Sequence, residues 1–137
     1  MNLTRLFKPK SIAVIGGGEW CKSIMSAAHQ IGYEGTILPI HPSGKEIAGV
    51  KSLKSLDAFP GLIDAAFVGV NRHATLDIVS KLRNLNAGGA TCFASGFSEA
   101  AAEDAIGANL QEKLIEAAGD MPILGPNCYG FLNAFDK

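Results

Sequence analysis

The sequence is poor in the features that define several classes of protein. It has only three cysteines, Cys21, Cys92 and Cys128, whose odd number and wide spacing match neither a disulfide framework nor a zinc site. It contains no run of 18 apolar residues that would predict a membrane-spanning helix. The first residues lack the long apolar segment of a secretory signal, so we expect a reducing, cytoplasmic location.

Charge is also scarce, and the two signs balance. Charged residues make up 18% of the chain and the formal net charge is -1. This balance gives no whole-molecule attraction to nucleic acid or to an anionic membrane, and we expect neither as a partner. Hydrophobic residues make up 47% of the 137 residues, which predicts a single globular domain over residues 1–137.

The chain does have a regular alternation of apolar segments and amphipathic segments. Helical periodicity predicts helices over 20–31, 74–85 and 99–118, and the polar segment 43–60 predicts an irregular connection with a turn near Asp57. The apolar segments predict five strands, at 11–15, 35–40, 64–70, 90–94 and 121–124.

This alternation predicts an α/β fold, because parallel strands need crossover connections. We expect a Rossmann-like, doubly wound parallel sheet of about five strands in the order 3-2-1-4-5. The ligand crevice of such a sheet is expected at the carboxyl ends of the first and fourth strands, where the strand order reverses.

A glycine turn, Gly16-Gly17-Gly18, joins the first strand to the first long helix. Backbone N–H groups and the positive end of a helix dipole meet there, which favours a phosphate ligand. The dinucleotide fingerprint G-x-G-x-x-G fails at its third glycine, where Cys21 stands, and His41 follows the second strand in place of a carboxylate. An NAD(P)-binding domain therefore remains an alternative, although the sequence lacks both the third glycine and the carboxylate that distinguish such domains.

Five short blocks follow one another along the chain, namely 6–16 (LFKPKSIAVIG), 35–42 (GTILPIHP), 64–70 (DAAFVGV), 94–99 (ASGFSE) and 125–130 (GPNCYG). In this order they resemble the CoA-binding domain of NDP-forming acyl-CoA synthetases, a family similar to the α subunit of succinyl-CoA synthetase. The resemblance covers nearly the whole chain. It departs from the family pattern at Cys21-Lys22, where the family has Pro-Gly, and at Asn71-Arg72, where the family has Pro-Ala.

The resemblance implies a domain that binds CoA or acyl-CoA across the carboxyl ends of its strands. It places the nucleotide phosphates in the loop after the first strand, the adenine at the end of the third strand and the pantetheine arm, near the thiol, after the fourth. The implied phosphate-loop residues are Gly16, Gly17, Gly18, Glu19, Trp20, Lys22 and Ser23, and the remaining contacts are Lys45 for a CoA phosphate, Val70 and Asn71 for the adenine, and Ser95 and Gly96 for the pantetheine arm.

The resembled enzymes convert an acid, CoA and a nucleoside triphosphate to acyl-CoA, a nucleoside diphosphate and phosphate. Their phosphoryl-carrying histidine belongs to the next domain. The resemblance therefore implies that this chain binds CoA without catalysing alone, as the N-terminal part of a longer protein that acts with downstream synthetase domains or a partner subunit. No residue is assigned to catalysis or to a metal. A stand-alone CoA- or nucleotide-binding regulatory module and the synthetase-like domain of a protein lysine acetyltransferase are the alternatives.

Four residues admit two interpretations each. Trp20 is either a wall against which a ligand stacks or an anchor of its loop, and Cys21 is either a reactive thiol or a packing residue. Glu99 either faces an active-site interface or favours a helix dipole. Arg72 either reaches a phosphate or is solvated.

Overall fold

The computed structural model describes residues 2–100 and 105–136, in which strands alternate with helices along the chain. A 3₁₀ turn at Leu56–Ala58 precedes the third long strand, and another at Ser98–Ala100 follows the fourth. In chain order the elements are α1 (Thr4–Phe7), β1 (Ser11–Ile15), α2 (Glu19–Gln30), β2 (Thr36–Ile40), β3 (Glu46–Ile47), β4 (Val50–Lys51), β5 (Ala65–Val68), α3 (Arg72–Asn84), β6 (Ala90–Cys92), α4 (Ala105–Ala118) and β7 (Ile123–Leu124).

The main sheet has five parallel strands in the order β2-β1-β5-β6-β7. The parallel, doubly wound architecture is confirmed, but the predicted order 3-2-1-4-5 is wrong, because the third predicted strand, β5, pairs with β1 and leaves β2 at the edge. In the observed register, Ile12 lies opposite Ala65 and Ile15 opposite Val68. Pro39 in β2 gives the physical reason, since a strand with a residue that lacks an N–H suits the edge of a sheet.

Two apolar clusters lie on the two faces of this sheet. On one face Ala13 and Ile15 of β1 pack with the buried sides of α3 and α4, and on the other face Val14 packs with Cys21 and Met25 of α2. Alternate residues of β1 therefore face opposite layers, as a strand buried on both sides requires. Within the described ranges no helix combines the length and the apolarity that crossing a bilayer needs.

The connection from β2 to β5 is more ordered than its sequence suggests. The turn expected near Asp57 is confirmed as a 3₁₀ turn, but an antiparallel hairpin of β3 and β4 precedes it. Two-residue strands have no periodicity to detect, so the hairpin was not predicted. The helix expected over 99–118 is described only as α4, and residues 101–104 lie outside the described residues.

A hydrogen-bonded network fastens α1 to the amino-terminal edge of the sheet. Arg5 Nε donates to Asp64 Oδ1 at 2.7 Å, and its two other donors reach the carbonyls of Ile63 and Asn86 at 2.9 Å each. The Lys10 N–H donates to Asp64 Oδ2 at 2.9 Å. Partial burial alone would raise the pKa of Asp64, but the hydrogen bonds from Arg5 and from the backbone outweigh it and lower that pKa below its usual value.

The Asp64 network generates a stability prediction. Asp64→Asn keeps the side-chain volume but removes the charge that Arg5 and the Lys10 N–H bind, so we expect a loss of about 1–3 kcal/mol in the free energy of unfolding at neutral pH. Because the folded pKa lies below the unfolded one, this stabilisation is complete above the unfolded pKa and is lost as the pH falls through the folded pKa.

Urea unfolding at several pH values measures this effect. The difference between wild type and Asp64→Asn is expected to narrow in acid, while the control Asp77→Asn, at an exposed position of α3, changes little at any pH. Equal urea midpoints for wild type and Asp64→Asn at neutral pH would contradict the role given to Asp64.

Candidate functional site

The chain reverses its direction of winding between β1 and β5, the first and third predicted strands. The expectation of a crevice between the first and fourth strands is therefore wrong, because β5 separates them in the sheet. A cleft of about 410 Å³ opens at this reversal, on the side of α3. Its lining includes Gly16, Gly17, His41, Gly69 and Val70, which come from the loops after β1, β2 and β5.

Gly16 and Gly69 bring the loops after β1 and β5 into direct backbone contact. Gly16 has a φ of 122°, and a Cβ there would overlap the Gly69 carbonyl. The Gly69 N–H donates to the Ile15 carbonyl at 2.7 Å. A left-handed φ and a missing side chain are both needed for this approach, which makes glycine the residue that fits position 16.

Cys21 shows how α2 approaches the sheet without the third glycine of the dinucleotide fingerprint. A Cβ on Gly69 would lie 2.7 Å from Cys21 Sγ. The glycine that allows the close approach is therefore at position 69, after β5, and not at position 21 in the helix. The Cys21 thiol is 1% exposed, and burial raises its pKa against the lowering effects of a Gly18 hydrogen bond and the Lys45 charge. Cys21 is therefore a packing residue in this structure.

Lys45 reaches the glycine turn from the loop after β2, 28 residues away along the chain. Its Nζ donates to the Gly17 carbonyl at 3.1 Å, and a Cβ on Gly17 would lie 2.5 Å from Nζ and 2.7 Å from the His41 ring. Ser43 Oγ contacts both His41 Nδ1, at 2.9 Å, and the Lys45 N–H, at 3.3 Å. A cation and a bare backbone thus meet at one point, which is the chemistry that phosphate binding requires.

The start of α2 supplies the N–H groups of this point. Gly18 is the N-cap and has no side chain to cap the first turn, so the N–H groups of Glu19 and Trp20 lack an acceptor within the helix. Lys22 Nζ pairs instead with Glu19 Oε1 at 2.6 Å on the surface, and Ser23 is exposed. Helix dipole and Lys45 therefore favour an anion here, while the Lys22 charge is partly neutralised by Glu19.

Trp20 belongs to an aromatic cluster beside the glycine turn. Its ring centroid lies 5.5 Å from that of Phe93 and 4.9 Å from that of Tyr129. The residue is still 45% exposed. Trp20 therefore anchors its loop through aromatic contacts and keeps one exposed surface.

Asn71 is the N-cap residue that precedes α3, and its side-chain oxygen binds the first turn of the helix. Asn71 Oδ1 accepts the N–H groups of His73 at 3.1 Å and Ala74 at 2.9 Å, as an N-cap does. Val70, one residue earlier, lines the cleft. The helix starts at Arg72, two residues before its predicted start, because the Asn71 cap was not recognised in the sequence.

The turn at Ser95 and Gly96 is held from two sides, and Ser95 itself is exposed. Arg72 Nη1 donates to the Gly96 carbonyl at 2.7 Å, and the Gly96 N–H donates to Glu99 Oε1 at 2.8 Å. Desolvation alone would raise the pKa of Glu99, but hydrogen bonds from its own N–H and those of Gly96 and Phe97 lower it. Glu99 thus caps this turn, and Arg72 holds a backbone carbonyl, a contact that neither sequence interpretation of Arg72 included.

The last loop runs beside the chain that continues from β6. The Asn127 N–H donates to the Ala94 carbonyl at 2.9 Å, and the Cys128 N–H donates to the Cys92 carbonyl at 3.0 Å. Neighbouring loops at this edge are therefore tied pairwise in sheet order. The ties are Lys45 to Gly17, Gly16 to Gly69, Arg72 to Gly96, and Asn127 to Ala94.

Sequence prediction and structure agree only in part on the membership of the site. Gly16, Gly17 and Val70 line the cleft, and Lys45 lies outside the lining but contacts it through the Gly17 carbonyl. The other predicted residues outside its lining are Gly18, Glu19, Trp20, Lys22 and Ser23 at the start of α2, Asn71 at the cap of α3, and Ser95 and Gly96 after β6. His41 was missed, although its place directly after β2 was a usable signal.

A second cavity, of about 130 Å³, lies on the α2 side of the sheet near residues 130–133. Its lining is apolar except for Tyr33, Thr91 and Asn133. Because it offers no cation and no helix N-terminus, it does not suit a phosphate.

Comparison with known proteins assigns a family to this geometry. The family model described as "CoA binding domain" matches residues 10–134, nearly the whole chain. The chain belongs to the CoA-binding domain family. The matched range includes the glycine turn, Lys45 and the loops after β5, β6 and β7, so the whole candidate site lies within the CoA-binding domain.

The curated relatives are larger proteins. A trans-feruloyl-CoA synthase from an unknown prokaryotic organism is 32% identical over 140 residues, 99% of this chain and 20% of that protein. An ADP-forming acetate–CoA ligase II from Archaeoglobus fulgidus is 32% identical, over 96% of this chain and 20% of that protein. The α subunit of ADP-forming acetate–CoA ligase I from Pyrococcus furiosus is 33% identical, over 95% and 30%. The chain thus spans between a fifth and a third of their lengths.

Solved structures confirm the fold. The apo form of the dinucleotide forming acetyl-coenzyme A synthetase 1 of Ca. Korarchaeum cryptofilum superposes with a TM-score of 0.85 at 29% identity, covering 97% of this chain and 29% of that chain. A Thermus thermophilus structure with a TM-score of 0.61 and 21% identity, covering 86% and 83%, shows the same fold.

The contact between Gly69 and Cys21 generates a coupling prediction. Gly69→Ala places a methyl group against Cys21 Sγ, and we expect a loss of about 1–3 kcal/mol in the free energy of unfolding. Cys21→Ala removes the sulfur and makes room, so Gly69→Ala should cost less in that background.

Urea unfolding of the wild type, both single variants and the double variant measures this coupling as a double-mutant cycle. The structure predicts that the double variant loses less free energy of unfolding than the two single variants lose together. Additive costs would show that Gly69 and Cys21 do not pack against each other.

Proposed function

We propose that this CoA-binding domain serves an NDP-forming acyl-CoA ligase, which converts an acid, CoA and a nucleoside triphosphate to acyl-CoA, a nucleoside diphosphate and phosphate. The domain's own part is to bind and orient CoA, and the bond-forming steps belong to downstream synthetase domains or a partner subunit. The named relatives, a CoA synthase and two ADP-forming CoA ligases, support this assignment. The three free thiols suit a reducing compartment, and we place the protein in the cytoplasm.

The observation that carries the proposal is the position of Lys45 over the glycine turn. Its ammonium group lies 3.1 Å from the carbonyl of Gly17, which directly precedes Gly18, the N-cap of α2 that has no side chain to cap the helix. CoA carries a pyrophosphate and a 3′-phosphate, and an exposed cation next to fixed N–H groups suits two phosphate groups close together. On this model the glycine turn and the start of α2 hold the pyrophosphate, and Lys45 meets the 3′-phosphate.

The family resemblance supports the other assignments, and all of them fall on loops or on the first turn of α2 at the same edge of the sheet. Val70 and Asn71 border the adenine, with Val70 supplying apolar contact, and Ser95 and Gly96 receive the pantetheine arm near the thiol. Lys22 and Ser23 lie on the exposed first turn of α2, where they reach only an outer phosphate oxygen. His41, which contacts Gly17 and Ser43, joins the same set as a second donor near Lys45.

An NAD(P) cofactor fits these residues less well. The carboxylate that binds the ribose hydroxyls in dinucleotide domains is expected after β2, where His41 and Pro42 stand. Calorimetric titration of the chain with CoA, dephospho-CoA and NADH tests the ligand class. CoA is expected to bind more tightly than NADH, and the reverse order would overturn the proposal.

The assignment of Lys45 generates a binding prediction. Lys45→Ala removes a charge-assisted hydrogen bond to the 3′-phosphate, so the Kd for CoA should rise about tenfold, while the Kd for dephospho-CoA should rise less. Calorimetry with both ligands measures the two ratios.

Lys51→Ala is the matched control, because Lys51 is an exposed lysine of the same connection, in β4. It removes the same charge from the molecule and should leave both affinities nearly unchanged. If Lys45→Ala weakens the binding of CoA and of dephospho-CoA equally, Lys45 does not contact the 3′-phosphate.

A further inference from the structure

Arg72 is the side chain that links the loop after β5 to the loop after β6. It is the first residue of α3, and its Nη1 donates to the Gly96 carbonyl at 2.7 Å across a separation of 24 residues. The neighbouring ties, from the Gly69 N–H to the Ile15 carbonyl and from the Asn127 N–H to the Ala94 carbonyl, are made by backbone groups. The contact between the loops after β5 and β6 at Gly96 therefore depends on the Arg72 side chain.

The Gly96 peptide is held on both of its polar groups. Its carbonyl accepts from Arg72, its N–H donates to Glu99, and its φ is 89°. A Cβ at Gly96 would lie 2.9 Å from Arg72 Nη1, so the guanidinium group packs directly against the Cα. A turn restrained in this way loses little conformational freedom when a ligand binds to it.

The restraint leaves Ser95 as the exposed part of the turn. Ser95 precedes the fixed peptide, and the Ala94 carbonyl before it accepts the Asn127 N–H at 2.9 Å. The exposed serine therefore stands between two anchored backbone groups. Its direction depends on the Arg72 hydrogen bond on one side and on the Asn127 hydrogen bond on the other.

We propose that Arg72 is a positioning residue for the pantetheine arm of CoA. It holds the Ser95–Gly96 turn in the conformation that receives the thiol end of the ligand, and it does so through the Gly96 carbonyl without touching a phosphate. This role rests on the proposed CoA function, with the nucleotide half at the glycine turn and the pantetheine arm after β6. The two halves of the ligand thus depend on different residues of the chain.

The separation of the two halves supplies the test. Adenosine 3′,5′-bisphosphate carries the adenine, the ribose and the 3′-phosphate of CoA but no pantetheine arm. In Arg72→Ala the Gly96 carbonyl loses its donor, and the peptide is held only through its N–H by Glu99. The Kd for CoA should then rise about tenfold, while the Kd for the bisphosphate should change less than about twofold.

Calorimetry on the 137-residue chain measures both ligands with the wild type, Arg72→Ala and Arg72→Lys. Lysine keeps a donor that reaches one carbonyl, so Arg72→Lys should recover part of the CoA affinity. The ratio of the two affinities does not respond to a general loss of stability, because both ligands bind the same folded protein. Should Arg72→Ala fail to fold, Glu99→Ala releases the other side of Gly96 and should produce the same selective loss for CoA.

Four results would overturn the inference. An equal loss for CoA and for the bisphosphate would place Arg72 at a phosphate, and no loss for either would make the hydrogen bond irrelevant to binding. A wild-type chain that binds the bisphosphate and CoA with equal affinity would show that the arm makes no contact, which also rejects it. A wild-type chain that binds neither ligand would overturn the proposed CoA function itself, and the role of Arg72 with it.

Discussion

The backbone contact between Gly16 and Gly69 is the constraint on which the rest of the site depends. A side chain at position 16 would overlap the Gly69 carbonyl, and a side chain at position 69 would meet Cys21 Sγ. The two central strands can therefore end side by side, with α2 starting directly above them. This approach places the positive end of the α2 dipole at the reversal of strand order, where doubly wound sheets bind their ligands.

From this contact outward, each loop is held by its neighbour in the sheet. Lys45 ties the loop after β2 to the glycine turn, Arg72 ties the loop after β5 to Gly96, and Asn127 ties the last loop to Ala94. A long, flexible ligand such as CoA loses much conformational freedom on binding. A row of loops that is ordered beforehand reduces the remaining cost of association to that of ordering the ligand itself.

The sequence alone was sufficient for the long helices, for the strands of the main sheet and for the class of fold, because β1 is buried on both faces and α2 and α3 have clear apolar sides. It was not sufficient for the strand order. The connection from β2 to β5 contains no crossover helix whose periodicity would reveal its path, and the proline in β2 was the one local sign of an edge strand. The hairpin of β3 and β4 is too short for any pattern to detect.

The same division applies to the site. Gly16, Gly17 and Lys45 could be predicted together, since a glycine turn and a basic residue after the next strand meet at the same edge of a parallel sheet. The pairing of Lys22 with Glu19 and the reach of Arg72 to Gly96 depend on side-chain conformation and on the strand order. The glycine that lets α2 approach the sheet is Gly69, directly after β5 and 48 residues from the cysteine it accommodates, so spacing within the first loop cannot reveal it.

The central claim is that the carboxyl edge of the sheet, and not the apolar cavity beside α2, is the CoA site. A titration of the isotopically labelled chain with CoA, followed through its backbone amide resonances, tests this claim most directly. The account predicts that the largest shifts occur at Gly17, Glu19, Trp20, Lys45 and Ser95. Largest shifts at Ile31, Tyr33 and Phe131, around the α2-side cavity, would contradict it.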